Sequence, residues 1–191
     1  MFSHLDSGWF LWTLIVVLTF LPSALVMRYM VPPSTWAWYR TYASPNTPSS
    51  STFGMVWFIL YGLEIPGMAL FWRDHPSNNT LWAVGVIFGG LNMLSNALGP
   101  ISLFGKRNVD EALLFVAFSL VCATIAMSMA YASASYVAAG LLTPQVVWLL
   151  FAAFLQYEFT LNFAIGESRR NRTVVAREEE QMVTPSGAPL L

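Results

Sequence analysis

The sequence predicts an all-α integral membrane protein, a bundle of five transmembrane helices. Three observations predict it. Hydrophobic residues make up 56% of the 191 residues and charged residues only 10%, against about 25% charged in ordinary soluble domains. Five apolar segments approach the roughly 20 residues that cross a hydrocarbon core. The nine lysines and arginines sort by side only when the spans number five.

The first span is Gly8–Met27. Its apolar run is too long for a signal-peptide core and no basic residue precedes it, so it reads as a retained span. Val31-Pro32-Pro33 ends it, because proline cannot continue a helix. Trp36, Trp38, Tyr39 and Tyr42 follow, ring types that settle at a membrane interface, then the polar loop Ser44–Ser51. The second span, Phe53–Trp72, closes on Arg73-Asp74-His75-Pro76. The third is Leu81–Phe104, and Gly105-Lys106-Arg107-Asn108 turns into the fourth, Glu111–Tyr136. Asp110 and Glu111 stand in the first turn of that helix, where the dipole favours anions. Gly140 is expected to make the tight turn into the fifth span, Leu141–Ile165. Residues 1–166 form the bundle. Residues 167–191 form a charged tail, expected to be disordered beyond about residue 175.

With five spans, Arg28, Arg40, Lys106, Arg107, Arg169, Arg170, Arg172 and Arg177 fall on one side and Arg73 alone on the other. The positive-inside rule then places the N-terminus outside and the C-terminus in the cytoplasm. The basic cluster of the tail reads either as a contact to anionic membrane lipids or, the preferred reading, as a stop signal that fixes topology.

Several function classes are excluded. A net charge of −1 carries no nucleic-acid signature. One cysteine, Cys122, forbids an intramolecular disulfide or a cysteine-rich metal site. His4 and His75 stand alone, without ligand spacing. There is no phosphate-binding loop, zinc-protease motif or serine elbow. No catalytic or metal residue is expected.

The polar residues inside the spans are Glu64, Asn92, Asn96, Gln145, Gln156 and Glu158. Such groups face the bundle interior or water. Glu64 reads equally as a neutral acid bonded to a neighbouring helix or as a functional group. Asn92 and Asn96 read as interhelical glue or as the lining of a cavity. Cys122, Ala126, Ala130 and Ala134 form a small-residue stripe suited to close packing.

Four stretches resemble the TspO/translocator protein family, the tryptophan-rich sensory or peripheral-type benzodiazepine receptor-like proteins. Trp38-Tyr39 with Pro45 and Pro48 is similar to its first loop. Phe53-Gly54-Met55-Val56-Trp57, Leu60-Tyr61 and Trp72 resemble its second helix. Asn96, Pro100 and Leu103-Phe104-Gly105, with Ala112 beyond, resemble its third helix and turn. Leu141-Leu142, Pro144, Trp148 and Leu155 resemble its fifth. The resemblance implies a homodimeric bundle that binds a hydrophobic small molecule, a porphyrin or haem-type tetrapyrrole or a sterol, with no required cofactor. It implies a cavity lined by Phe53, Trp57, Tyr61, Asn92, Asn96, Trp148, Ala152 and Gln156, with Trp57 and Trp148 stacking and Asn96 and Gln156 bonding the ligand's polar edge. The departures are Ala97 and Gly99 in place of tryptophans, Gln145 in place of tyrosine and Gln156 in place of asparagine. A rival reading is an intramembrane enzyme, sterol isomerase-like or porphyrin-degrading, using Glu64 or Glu158 as proton carrier.

Overall fold

The computed structural model describes residues 4–25, 32–74 and 79–183, all helix, turn or loop. Its helices are α1 (His4–Leu25), α2 (Pro33–Tyr42), α3 (Ser50–Asp74), α4 (Asn79–Pro100), α5 (Val109–Ala132) and α6 (Tyr136–Val183), with a π-helical turn over Ile101–Gly105. Four of them, α3 to α6, are long and apolar enough to cross a membrane. The apolar stretch of α1 is the shorter Trp9–Leu18. His75 lies outside the described residues.

The core explains how these helices meet. Trp12 of α1 is 1% exposed and packs with Met68 and Phe71 of α3, Ala130 of α5, and Ala138, Ala139 and Leu142 of α6. Small residues let the helices close up. A methyl group on Gly89 of α4 would stand 2.5 Å from Met68 Cε and 3.3 Å from Trp12, and one on Gly67 of α3 would stand 3.2 Å from Leu142. Cys122, Ala126 and Ala130 are buried, as the stripe predicts. The fourth member, Ala134, falls outside the stripe: it lies in the turn after α5, with φ 59°.

That turn corrects a boundary. Gly140 does not separate the last two helices; it lies inside α6. The chain reverses over Ser133–Ser135, where Ser135 N–H bonds back to Ala130 O at 3.0 Å and Ser133 N–H to Met129 O. Ser135 Oγ donates to Asp74 Oδ2, which ties the end of α3 to the same corner. Gly140 sits four residues before Pro144, and Gly62 stands likewise before Pro66. A proline ring presses on the carbonyl four residues earlier, so each proline is preceded by a residue that adds no side-chain crowding there.

The polar tail is also corrected. No helix end falls at Glu167: α6 runs unbroken to Val183, 48 residues and about 72 Å long at 1.5 Å per residue. That is more than twice a hydrocarbon core of about 30 Å. Arg and Glu are good helix formers. Glu167 and Arg170 stand 3.9 Å apart on one face, and Arg172 donates to Ser168.

The first connection is not all loop either. Pro33 starts a helix after Pro32, for proline at the first helical position is pre-set for a helix. The aromatic run therefore forms α2, which lies across one end of the bundle. Tyr39 stacks on Phe159 of α6 at 5.0 Å and 18°. Trp38 meets Phe159 and Phe163 edge-on, and Trp36 meets Phe104 of the π turn at 4.9 Å. Arg107 lies over Trp38 at 5.4 Å and donates to Thr35 at 2.9 Å.

Candidate functional site

The eight residues expected to line one cavity fall into separate groups. Phe53, Trp57 and Tyr61 recur at helical spacing and share a face of α3. Across from them, Trp148 of α6 approaches Phe53 at 5.4 Å and Trp57 at 6.5 Å, the latter edge-to-face at 89°. Trp57 and Tyr61 lie 5.5 Å apart, tilted by 32°. These four rings form a continuous aromatic seam between α3 and α6, and each is only half-buried. Trp148 Nε1 is buried without a hydrogen-bond partner.

Asn92 and Asn96 stand elsewhere, facing α3 and α5. Asn92 Nδ2 donates to Glu64 Oε1 of α3 at 3.0 Å. Ser119 Oγ of α5 lies 2.6 Å from both Asn92 Oδ1 and Asn96 Oδ1. One hydroxyl carries one proton and serves only one of these acceptors. The proton count closes when Ser119 donates to Asn96 Oδ1, because Asn96 Nδ2 then donates to Asn92 Oδ1 at 3.3 Å. Asn92 in turn donates to Glu64. All three donors of this relay point toward the carboxyl group.

Glu64, Asn92, Ser119 and Gln145 are each at most 2% exposed. Gln145 of α6 comes close enough to interact with Glu64, yet its Nε2 and Glu64 Oε2 both lack a hydrogen-bond partner. The polar network thus joins α3, α4 and α5 and reaches α6, at the level where the aromatic seam ends. Tyr61 bridges the two groups: it belongs to the seam and lies within electrostatic reach of Glu64.

Gln156 belongs to neither group. It is buried and donates to Val109 O at 3.5 Å, where Val109, Leu103, Ala112 and Phe159 pack under α2. Ala152 is buried on α6 between Trp148 and Gln156, with 8% exposure. Glu158 has one buried, unpartnered oxygen. It lies about 20 Å along α6 from Gln145, so it does not share a chamber with Glu64.

Ser119 was missing from the residues expected to matter. Its signal was weak but present: it stands three residues before Cys122, in register with the small-residue stripe that turns toward α4.

Apolar helices longer than a hydrocarbon core needs, closed around a buried polar network and an aromatic seam, define an all-helical integral membrane protein. The sequence profile of the TspO/MBR family matches residues 10–161, and the chain belongs to that family. Among its relatives is the tryptophan-rich protein TspO of Bacillus cereus, 29% identical over 130 residues, which cover 65% of this chain and 80% of the relative.

Proposed function

We propose that this protein is a five-span receptor or transporter-like protein that binds a hydrophobic small molecule, a porphyrin or haem-type tetrapyrrole or a sterol, along the α3–α6 seam. The observation that carries the reading is the aromatic seam itself: Phe53, Trp57, Tyr61 and Trp148 meet across two helices and remain half-buried. Flat ring faces with few polar anchors suit such ligands. Asn92 and Asn96 enter this reading as braces of the wall, and Gln156 as a brace between α5 and α6. A proton-transfer enzyme using Glu64 or Glu158 as proton carrier is the weaker reading, because an acid–base pair must reach one reacting group and these two carboxyl groups lie far apart.

Porphyrin titration tests this. A tetrapyrrole quenches nearby indole fluorescence, so saturable quenching is expected on titration into purified protein. Trp57→Phe and Trp148→Phe should each shrink the saturable component, and weaken binding by a few-fold, since a stacked ring contributes about 0.5–1.5 kcal/mol beyond its area. The corresponding alanine variants should lose more. Strictly linear quenching, equal in parent and variants, would remove tetrapyrroles from the reading.

The same reading has α1 as the fifth span, the N-terminus outside, the C-terminus cytoplasmic, and a homodimer in the lipid. The eight-to-one basic bias supports the orientation. Protease added from the cytoplasmic side of intact vesicles is expected to clip the chain after Ile165, beyond which α6 is mostly exposed. A protected C-terminus with a cleavable N-terminus would reverse the orientation.

A further inference from the structure

The aromatic seam ends in buried polar atoms whose hydrogen bonding is incomplete. Glu64 Oε1 accepts from Asn92, but Oε2 is bare. Gln145 Nε2 lies beside Glu64 without closing a well-formed hydrogen bond, and Trp148 Nε1, one turn further along α6, has no partner. One acceptor and two donors therefore sit buried along a single seam, with Tyr61 beside the acceptor.

A cation would complete this arrangement. A carboxylate in a low-dielectric interior is costly unless it is paired. The groups that surround Glu64 are an amide on α4, an amide on α6 and, through Asn92, a hydroxyl on α5. All are neutral. The cations among the described residues are engaged or remote: Arg73 pairs with Asp74, Lys106 with Glu111, and Arg107 holds Thr35 and Trp38. Arg40 is exposed on α2, and the remaining described arginines are exposed on α6 beyond Ser168. Aromatic faces attract cations as well, and three of them lead up to this carboxyl group.

We propose that Glu64, with Gln145 opposite it, forms the polar end of the α3–α6 seam and takes the protonated nitrogen of a flat hydrophobic amine. The rings of Trp57, Tyr61 and Trp148 hold the flat body. Glu64 Oε2 accepts from the ligand's N–H. This rests on the reading of the seam as a ligand site and narrows the ligand's chemistry. If Glu64 is instead a neutral acid that bonds only to Gln145, a charged and an uncharged ligand of the same shape bind alike.

The test uses two tricyclic probes on the purified full-length protein in an uncharged detergent: aminoacridine, a cation at neutral pH, and acridone, its uncharged counterpart. Saturable binding is read by fluorescence titration. The parent is expected to prefer aminoacridine by about tenfold, equivalent to about 1.4 kcal/mol. Glu64→Gln keeps the shape and the bond from Asn92 but not the charge, and it should bring aminoacridine to about the acridone level. Equal affinity of the parent for both probes overturns the inference without needing the variant, and it leaves the seam standing as a neutral site. A preference that survives Glu64→Gln removes Glu64 as its source and overturns the inference. Saturable porphyrin binding with no binding of either probe overturns the amine alone. Absence of saturable binding for every probe overturns the seam as a ligand site and the amine with it.

Discussion

Asn92→Leu is expected to destabilise the bundle by about 2–4 kcal/mol, measured as the loss of folded protein in a denaturing-detergent titration. Asn92 is the hinge of the polar network. It donates to Glu64 and accepts from Asn96, and Asn92 and Glu64 are each at most 2% exposed. Leucine fills a similar volume but leaves the carboxyl oxygen and the Asn96 amide without their partner. Each buried group so stranded costs about 1–3 kcal/mol. A single interhelical hydrogen bond in a membrane is commonly worth only about 0.6 kcal/mol, because its partners find substitutes. Here substitutes are few: Asn96 is partly exposed, whereas Glu64 has only Gln145. Asn96→Leu should therefore cost less, about 1 kcal/mol, for it leaves the bond from Asn92 to Glu64 in place. The decisive measurement is a double-mutant cycle with Glu64→Leu. If the bond carries the effect, the double variant should be more stable than the sum of the single losses by about 1 kcal/mol or more. Strict additivity would mean that Asn92 acts through packing alone.

The sequence made the spans legible and left their assembly partly hidden, for identifiable reasons. Apolar length and charge-bearing turns are local properties, so α3, α4 and α5 begin and end within a few residues of expectation. The turn at Ser133–Ser135 was not legible because alanine, not glycine, holds its left-handed position at Ala134. Gly140 looked like the break and instead sits inside α6, where it leaves room ahead of Pro144. The helix past Glu167 was hidden by composition: charge reads as solvent exposure, and exposure does not forbid helix. For the site, side-chain type singled out polar and aromatic residues but not their company. Helical spacing put Phe53, Trp57 and Tyr61 on one face, and the family resemblance matched Trp148 to their neighbourhood. Nothing in spacing alone shows that Asn92 turns to Glu64 and Ser119 rather than to those rings. That is a matter of helix rotation, which small residues such as Gly85 and Gly89 settle by choosing which helix faces may touch.

Gly85→Ala is expected to destabilise the bundle, by about 1–3 kcal/mol, although the same change at Gly90 of α4 should not. Gly85 sits where α4 crosses both α3 and α5. A methyl group there would fall inside the edge of the Phe71 ring and 3.0 Å from Met129 Cβ. Phe71 is 0% exposed, locked among Met68, Trp12 and Ala130, so the ring has no space to swing into. The helices must part instead, and they lose contact along the crossing. Gly90 provides the control on the same helix. A methyl group there meets nothing within 4 Å, and alanine is the better helix former by up to about 1 kcal/mol. Thermal melts of the detergent-solubilised protein should thus move in opposite directions for Gly85→Ala and Gly90→Ala. Phe71→Leu should be harmful in the parent but should relieve part of the Gly85→Ala defect, since it removes the ring edge that the new methyl group strikes. If both alanine variants melt like the parent, α4 does not cross α3 and α5 at Gly85, and the helix rotation that turns Asn92 toward Glu64 would be wrong with it.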